Sequence, residues 1–582
     1  LTSNRLAWQA LQPDAESFQP LFSRVFSDNI GDILPDVQPR LFDAASLLQN
    51  SSAPFSLMLI RCAENSENLS LLAQTLQHNS SQTEALYGGN YLINEEQITW
   101  QPAKSADDPF ASRGGVHFAD WIESEQLFGC VRIFSQRISL QPGLIHRANG
   151  GILMLSLRAL LAQPLLWLRL KQTIARQRFD WLSPDESRPL PVTVPSMPLQ
   201  LKLVLCGDRD ALADFQEMEP ELAALAIYSE YEESLQLDEE EDMALWCRWV
   251  TALARQAGLP PIAVNFWPAL LQEAVRYSGD RETLPLCPAW LGRQLRDAAL
   301  YGEQLDAAAL QAALDARLWR ESFLPDRMRD EILLDQVLIE TEGAVVGQIN
   351  GLSVIEFPGH PRAFGEPSRI SCVVHVGDGE FTDVERKAEL GGNIHAKGMM
   401  IMQAFLIAEL ELDQQLPFSA SLVFEQSYSE VDGDSASLAE LCALVSALAG
   451  EPINQQIAVT GSVDQFGHVQ PVGGLNEKIE GFFEICQQRG LTGQQGVIIP
   501  AANVRHLCLQ QQIVDAVQAG EFHIWAVSEV DEALPLLTGV PWKKDDAPCL
   551  LQTIQARITE FNQQEARQRP WPLRWLNWFN HS

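Results

Sequence analysis

The sequence predicts an α/β protein built as successive units: an α/β module with a parallel sheet, a helical unit, and an α+β domain. Three observations carry that reading. Apolar runs of strand length alternate with helical stretches in the first 240 residues; four helical patterns then follow without interruption; after residue 345, strands recur with long helices between them. A chain of 582 residues is too long for one ordinary hydrophobic core.

Just after Pro54, SLMLIRCAENSENLSLLAQTLQ reads as an apolar strand, a polar turn and a helix. GILMLSL (151–157) and LKLVLC (201–206) are two more buried-strand candidates, so the sheet is expected to be parallel. Between 240 and 323, MALWCRWVTALARQAG, FWPALLQEAVRYSG, CPAWLGRQLRDAALYG and DAAALQAALDARLWRESF each fit one helix broken at Gly or Pro. Residues 324–339 read as a connector. Beyond it come the strands VVGQINGLSV and SCVVHV, a hairpin turn at Gly377-Asp378-Gly379, the helix GMMIMQAFLIAELELD and the strand SLVFEQSY. IAVTGSVDQFGHVQPVGG reads as a β-hairpin. The last unit alternates NEKIEGFFEICQQRG (helix), GVIIP (strand), VRHLCLQQQIVDAVQAG (helix) and EFHIWAV (strand). The expected domains are 1–239, 240–323 and 324–545, followed by a tail, 546–582, that ends in a short helix.

Composition narrows the function classes. The formal charge of -35 repels nucleic-acid phosphate and anionic lipid, and no basic stripe offsets it. The acidic run Asp238 to Asp242 reads as a solvated helix start. LTSNRLAWQALQPDAESFQ lacks the apolar core of a signal segment, and no uncharged apolar run reaches membrane-spanning length. Ten scattered cysteines with no C-x-x-C pair suit reduced thiols, and the expected compartment is cytoplasmic. The tryptophans are mostly isolated and form no stacking platform.

Chemistry concentrates in two stretches. Ser435 follows the turn Asp432-Gly433-Asp434 and precedes ASLAELCALVSALAG, whose apolar spacing is helical. A serine there exposes its hydroxyl while free helix amides, around Asp434 to Ala436, face an oxyanion. A hydroxyl at neutral pH needs a base, and no G-x-S-x-G elbow is present. Lys478 follows Gly473-Gly474 in the first turn of a helix. Positive dipole potential there, with a dry pocket, lowers an amine's pKa toward the base role. Thr460 ends the strand IAVT, where it can orient the amine. Asp432 and Asp434 cap the turn or steady it. Read singly, Ser435 is a helix cap and Lys478 a solvated lysine. His395, beside Gly391-Gly392, reads as a capping or core residue or as a contact to the cleft. DGDS is no metal site, because no carboxylate or histidine recurs at ligand spacing, and no metal is expected.

Taken together, VDGDSASLAELCALVSALAG, QQIAVTGSVDQFGHVQPVGGLNEKIEGFFEICQQRG and GVIIP resemble the proteolytic domain of the Lon protease family, archaeal-type and Lon-related members above all. VVGQINGLSV and GGNIHAKGMMIM fit the same likeness, which spans about residues 335 to 540. It implies that Ser435 is the nucleophile, Lys478 the base and Thr460 the family's V-T-G threonine. It also implies a homo-hexameric ring acting on unfolded or flexible protein substrates.

The N-terminal half resembles the family's AAA+ module, with PGLIHRANGGILMLSLRAL and LKLVLCGDRD as core segments and residues 240–323 as the lid. The phosphate chemistry is missing. Where G-x-x-x-x-G-K-[ST] is needed, the sequence has Cys62-Ala63-Glu64-Asn65-Ser66-Glu67-Asn68; where an acidic pair is needed, it has Ser156-Leu157. Arg276 and Arg281, in the lid-like region, read as structural or intersubunit salt-bridge residues. The expectation is a degenerate AAA+-like scaffold without ATP or Mg²⁺ as cofactor, fed by pre-unfolded chains or a separate unfoldase. The alternatives are an ATP-dependent protease with an atypical nucleotide site, and a latent assembly or adaptor protein.

Overall fold

The computed structural model describes residues 3–78, 85–94, 97–185, 187–412 and 416–568. Its first sheet has five parallel strands, in the order Ile227–Glu230, Leu57–Arg61, Lys202–Gly207, Ile152–Ser156 and Val116–Ala119. The three central strands are the apolar runs that the sequence marks. Their side chains alternate: Leu59, Leu155 and Leu205 face one apolar cluster, and Ile60, Met154 and Val204 the other. Burial on both faces explains why these runs lack polar alternation. The two edge strands carry mixed residues and no such signature.

Four helices follow: Glu240–Gln256, Phe266–Ser278, Pro288–Ala299 and Ala307–Glu321. Trp246, Trp249 and Trp267 pack in their common core, and the indoles of Trp246 and Trp249 donate to the carbonyls of Pro285 and Leu286. The acidic run caps the first of these helices, where Glu239 and Asp242 form a capping box. Leu21, Phe22, Ile30, Ile33 and Leu34, from near the start of the chain, belong to this helical core and not to the sheet. The connector after residue 323 is a helix, Phe323–Leu333.

The C-terminal region is built on a seven-stranded sheet, ordered Phe381–Asp383, Phe418–Phe424, Phe364–Val376, Gln348–Ile355, Ile457–Val459, Gln495–Pro500 and Phe522–Val527. The molecule is thus of mixed α/β class, with a parallel sheet in the N-terminal region. The helix Ser437–Ala449 is apolar on nearly every side and sits inside the core, as such a pattern requires.

Several local readings change. IAVTGSVDQFGHVQPVGG is not one hairpin: Ile457–Val459 is a parallel strand inside the large sheet, and only Ser462–Val463 and Val469–Gln470 pair as a hairpin. Gly377-Asp378-Gly379 does not reverse the chain onto its own strand; Phe381–Asp383 pairs with Phe418–Phe424 instead. In VRHLCLQQQIVDAVQAG the helix starts only at Gln511, after a short 3₁₀ turn, Ala501–His506. The tail is no appendage within its described part. Leu550–Gln568 is a long helix whose Leu550, Ile554 and Ile558 enter the same core as Ser437–Ala449. At the other end of the chain, Leu6 N donates to Ile524 O, and Leu11 is buried against the edge of the large sheet. No helix among the described residues is long and apolar enough to cross a membrane.

Candidate active site

Ser435 lies in the turn just before the buried helix Ser437–Ala449, half-buried. Backbone bonds from Ser437 N to Asp434 O, from Gly461 N to Ser435 O and from Leu438 N to Gly461 O stitch that turn to the end of the strand Ile457–Val459. Asp434 accepts from the Ser462 hydroxyl at 3.0 Å. Asp432 accepts from the amides of Ile394 and His395 at 3.2 and 3.3 Å. The amide of Gly433, then those of His395 and Ile394, hold the Asp432 carboxyl below its ordinary range. Both aspartates therefore fix the turn. At Gly398, on the helix Asn393–Leu410, an added Cβ would come within 2.9 Å of the Asp434 Cβ, so that helix can lie this close only through glycine. Among the described residues, the amides of Asp434, Ser435 and Ala436 donate to no acceptor.

Lys478 sits in the first turn of Leu475–Arg489, and its side chain is buried. A close backbone crossing fixes this helix: an added Cβ at Gly481 would meet Gly365 O at 2.0 Å, and one at Gly365 would meet Glu477 O at the same distance. Lys478 Nζ donates to Thr460 Oγ1 at 3.3 Å, and Thr460 is wholly buried. Burial pushes the Lys478 amine down to about 8, against the upward pull of Glu477 and Asp434.

Ser435 and Lys478 open onto one cavity of about 960 Å³, together with Ala436, Gly433 and Asp432. It is not filled by the chain. Among the described residues the Ser435 hydroxyl makes no hydrogen bond, and the Lys478 amine is held by Thr460 rather than by the serine. Glu331, Glu356, Glu366, Glu425, Glu430 and Glu477 also line the cavity, against Arg369 and Lys478 as its cations. Burial lifts the Glu366 carboxyl to about 7. The sequence reading missed this acidic wall, whose members come from several separate segments.

His395 does not face the cleft. Its side chain is buried among Asp383, Glu385 and Glu440. Arg276 and Arg281 work within the chain. Arg276 bridges to Glu480 at 2.8 Å, two residues beyond Lys478, and Arg281 donates to Leu507 O and to Ala10 O. They tie the helical unit to the C-terminal region.

At the end of the first sheet, where a phosphate loop would lie, the loop after Leu57–Arg61 turns Glu64 inward. Its carboxylate accepts from the Ser156 hydroxyl and, at 3.0 Å, from the Arg158 amide, and pairs with the Arg158 guanidinium at 3.6 Å. Arg158 in turn pairs with Asp208.

Two family models match separate stretches of the chain. The family described as "LonB-like, AAA domain" matches residues 118–227, and "Lon protease (S16) C-terminal proteolytic domain" matches residues 428–538. A protein of Escherichia coli (strain K12), named as a Lon protease homolog, is 60% identical over 583 residues, all of both chains. A Haemophilus influenzae protein of the same name is 46% identical, over 92% of this chain and 89% of its own. An archaeal Lon protease from Archaeoglobus fulgidus is 28% identical, over 68% of this chain and 62% of its own. With a C-terminal proteolytic domain on an AAA-like sheet, and near-complete relatives at this identity, the chain belongs to the Lon protease family.

Proposed function

We propose that this chain is a serine endopeptidase that cleaves unfolded or flexible polypeptides with a Ser435/Lys478 dyad and without ATP hydrolysis. The observation that carries the reading is a buried amine, pushed down to about 8, opening on the same cleft as a half-buried serine at a helix start. Near neutral pH an amine of that kind is deprotonated in a useful fraction, whereas an ordinary lysine is not. Lys478 Nζ takes the Ser435 proton as Oγ attacks the scissile carbonyl carbon. The amides around Asp434 to Ala436 meet the oxyanion. The Lys478 ammonium returns the proton to the leaving amine as the C–N bond breaks, leaving an acyl-Ser435. The amine then deprotonates the water that hydrolyses the ester. Thr460 keeps the amine aimed, and Asp432 and Asp434 keep the serine turn in shape.

Glu64 supports the ATP-independent part of the reading. A carboxylate already bonded to Ser156 and Arg158 repels triphosphate and takes up the donors that a phosphate would need. The proposed working form is a cytoplasmic homo-hexameric ring with its serines facing an enclosed chamber, which keeps a broad peptidase away from folded neighbours. Substrates enter already unfolded or from a separate unfoldase.

Casein cleavage by the wild type, Ser435→Ala and Lys478→Ala tests the dyad. Both variants are expected to lose about a thousandfold or more. Wild-type rates in either variant would sink the assignment.

A further inference from the structure

Outside the cleft, four ionisable side chains from four elements meet in the interior. Asp383 ends the strand Phe381–Asp383, and Glu385 lies in the short helix Val384–Lys387. His395 is in the first turn of Asn393–Leu410, and Glu440 is in the first turn of Ser437–Ala449. All four are buried. His395 Nε2 stands 3.1 Å from Asp383 Oδ2, and His395 Nδ1 stands 3.8 Å from Glu440 Oε1. Despite that proximity, His395 Nε2, Asp383 Oδ2 and Glu440 Oε1 are sealed from solvent with no aligned hydrogen-bond partner among the described residues. One donor atom each from Asp383, Glu385 and His395 lie within 4.8 Å of one another.

Three carboxylates and one imidazole carry at most one positive charge among them. Buried polar atoms that face one another without hydrogen bonds are costly. A protonated His395 paired with Asp383 at 3.1 Å offsets part of that cost and still leaves three carboxylates around one cation.

We propose that Asp383, Glu385 and His395 bind a divalent transition-metal ion of the Mn²⁺ or Zn²⁺ class. His395 ligates through Nε2, and Nδ1–H turns toward Glu440. An imidazole whose second nitrogen faces a carboxylate is the usual outer-shell arrangement of a metal-bound histidine. Glu385 is oriented in the same way: one of its carboxylate oxygens accepts from Phe424 N at 2.9 Å, leaving the other for the ion. Mixed nitrogen and oxygen donors favour Mn²⁺ or Zn²⁺ over Ca²⁺ and Mg²⁺, which take oxygen alone. Three protein ligands leave coordination positions for water. The spacing hides the site from motif reading, because Asp383 and Glu385 are two residues apart and His395 follows ten residues later on another helix.

The ion has a structural task. It joins the edge of the large sheet to the start of Asn393–Leu410, and through Glu440 to the helix that follows Ser435. Asp432 bonds the amides of Ile394 and His395 at the same helix start. A bound ion therefore stiffens the support of the serine turn without touching substrate.

The test uses the full chain freed of metal by dialysis against a chelator. MnCl₂ and ZnCl₂ are titrated by calorimetry, and bound metal is counted by elemental mass spectrometry. One ion per chain and a rise in melting temperature on loading are expected. His395→Ala and Asp383→Asn should weaken binding by about tenfold or more. His468→Ala, which alters an exposed imidazole beside Asp464, should bind as the wild type does. If the core variants fail to fold, Co²⁺ loaded into the wild type keeps the question open to measurement, because the visible spectrum of a nitrogen- and oxygen-ligated ion differs from that of the aquo ion. The proposal is overturned if the wild type takes up no ion at excess metal, if its Co²⁺ spectrum is that of the aquo ion, or if folded His395→Ala binds as tightly as the wild type. In each of those outcomes the cluster is a protonated His395 held among carboxylates.

Discussion

Lys478 Nζ donates to Thr460 Oγ1 at 3.3 Å, joining the first turn of one helix to the end of a central strand. Thr460 offers the amine one polar contact in a buried setting, and burial holds that amine near 8. Thr460→Val removes the oxygen and keeps the shape. The expected result is about a tenfold drop in kcat with little change in KM, the size of one lost hydrogen bond to a charged or reacting group. Steady-state kinetics on an unfolded substrate measure it.

The same pKa sets a pH profile. If the neutral amine is the base, kcat/KM rises with pH and levels off above about 8. A profile that is flat from pH 6 to 9 (~3 units, covering the base transition) would remove Lys478 from the base role.

Stability follows with the opposite consequence. The folded pKa of Lys478 lies below the unfolded value of 10.5, so the unfolded chain binds more protons between about 8 and 10.5. The penalty from this group is full below pH 8 and fades as pH rises toward 10.5. Lys478→Met, of similar length and uncharged, is expected to abolish cleavage and to stabilise the chain at pH 7 by on the order of 2 kcal/mol. Thermal melts at pH 7 and pH 10 test the sign: the gain should shrink at the higher pH.

Half-buried Arg276 pairs with buried Glu480 at 2.8 Å, and burial holds the Glu480 carboxyl up near 7 even beside the guanidinium. Arg276→Ala leaves that carboxyl without its partner and is expected to cost about 3 kcal/mol. Because Glu480 shares a helix with Lys478, activity should fall too. Adding Glu480→Gln should recover part of the stability in denaturant melts.

At the first sheet, Glu64→Ala removes the acceptor used by Ser156 and by the Arg158 amide. A loss of about 1–3 kcal/mol is expected, with no gain of ATP turnover in a phosphate-release assay. Micromolar binding of Mg-ATP by the wild type, with turnover, would restore an energy-driven enzyme.

What the sequence made legible was whatever is encoded locally. The apolar runs 57–61, 152–156 and 202–207 announce a parallel sheet because both of their faces are buried. Ser435 and Lys478 stand out because each lies at a glycine-marked junction between loop and helix. Ile457–Val459 reads as part of a hairpin because a three-residue strand between polar turns carries no sign of what it pairs with. The Glu64–Ser156 contact joins residues 92 positions apart, the cluster around His395 brings in Glu440 from a later helix, and the acidic wall draws Glu331, Glu425 and Glu477 from separate segments. No local pattern reports those meetings. In the helix Leu550–Gln568 a Gln-rich surface hides the thin apolar stripe of Leu550, Ile554 and Ile558, so the sequence shows only a short helix there.

Covalent labelling of the nucleophile is the sharpest test of the Ser435/Lys478 dyad. The full chain is incubated with a fluorophosphonate, which phosphonylates an activated serine with loss of fluoride, then digested and mapped by mass spectrometry. One adduct is expected, on Ser435, whose formation rate rises with pH toward about 8 and collapses in Lys478→Met. An adduct at another residue, or undiminished casein cleavage by Ser435→Ala, would contradict it.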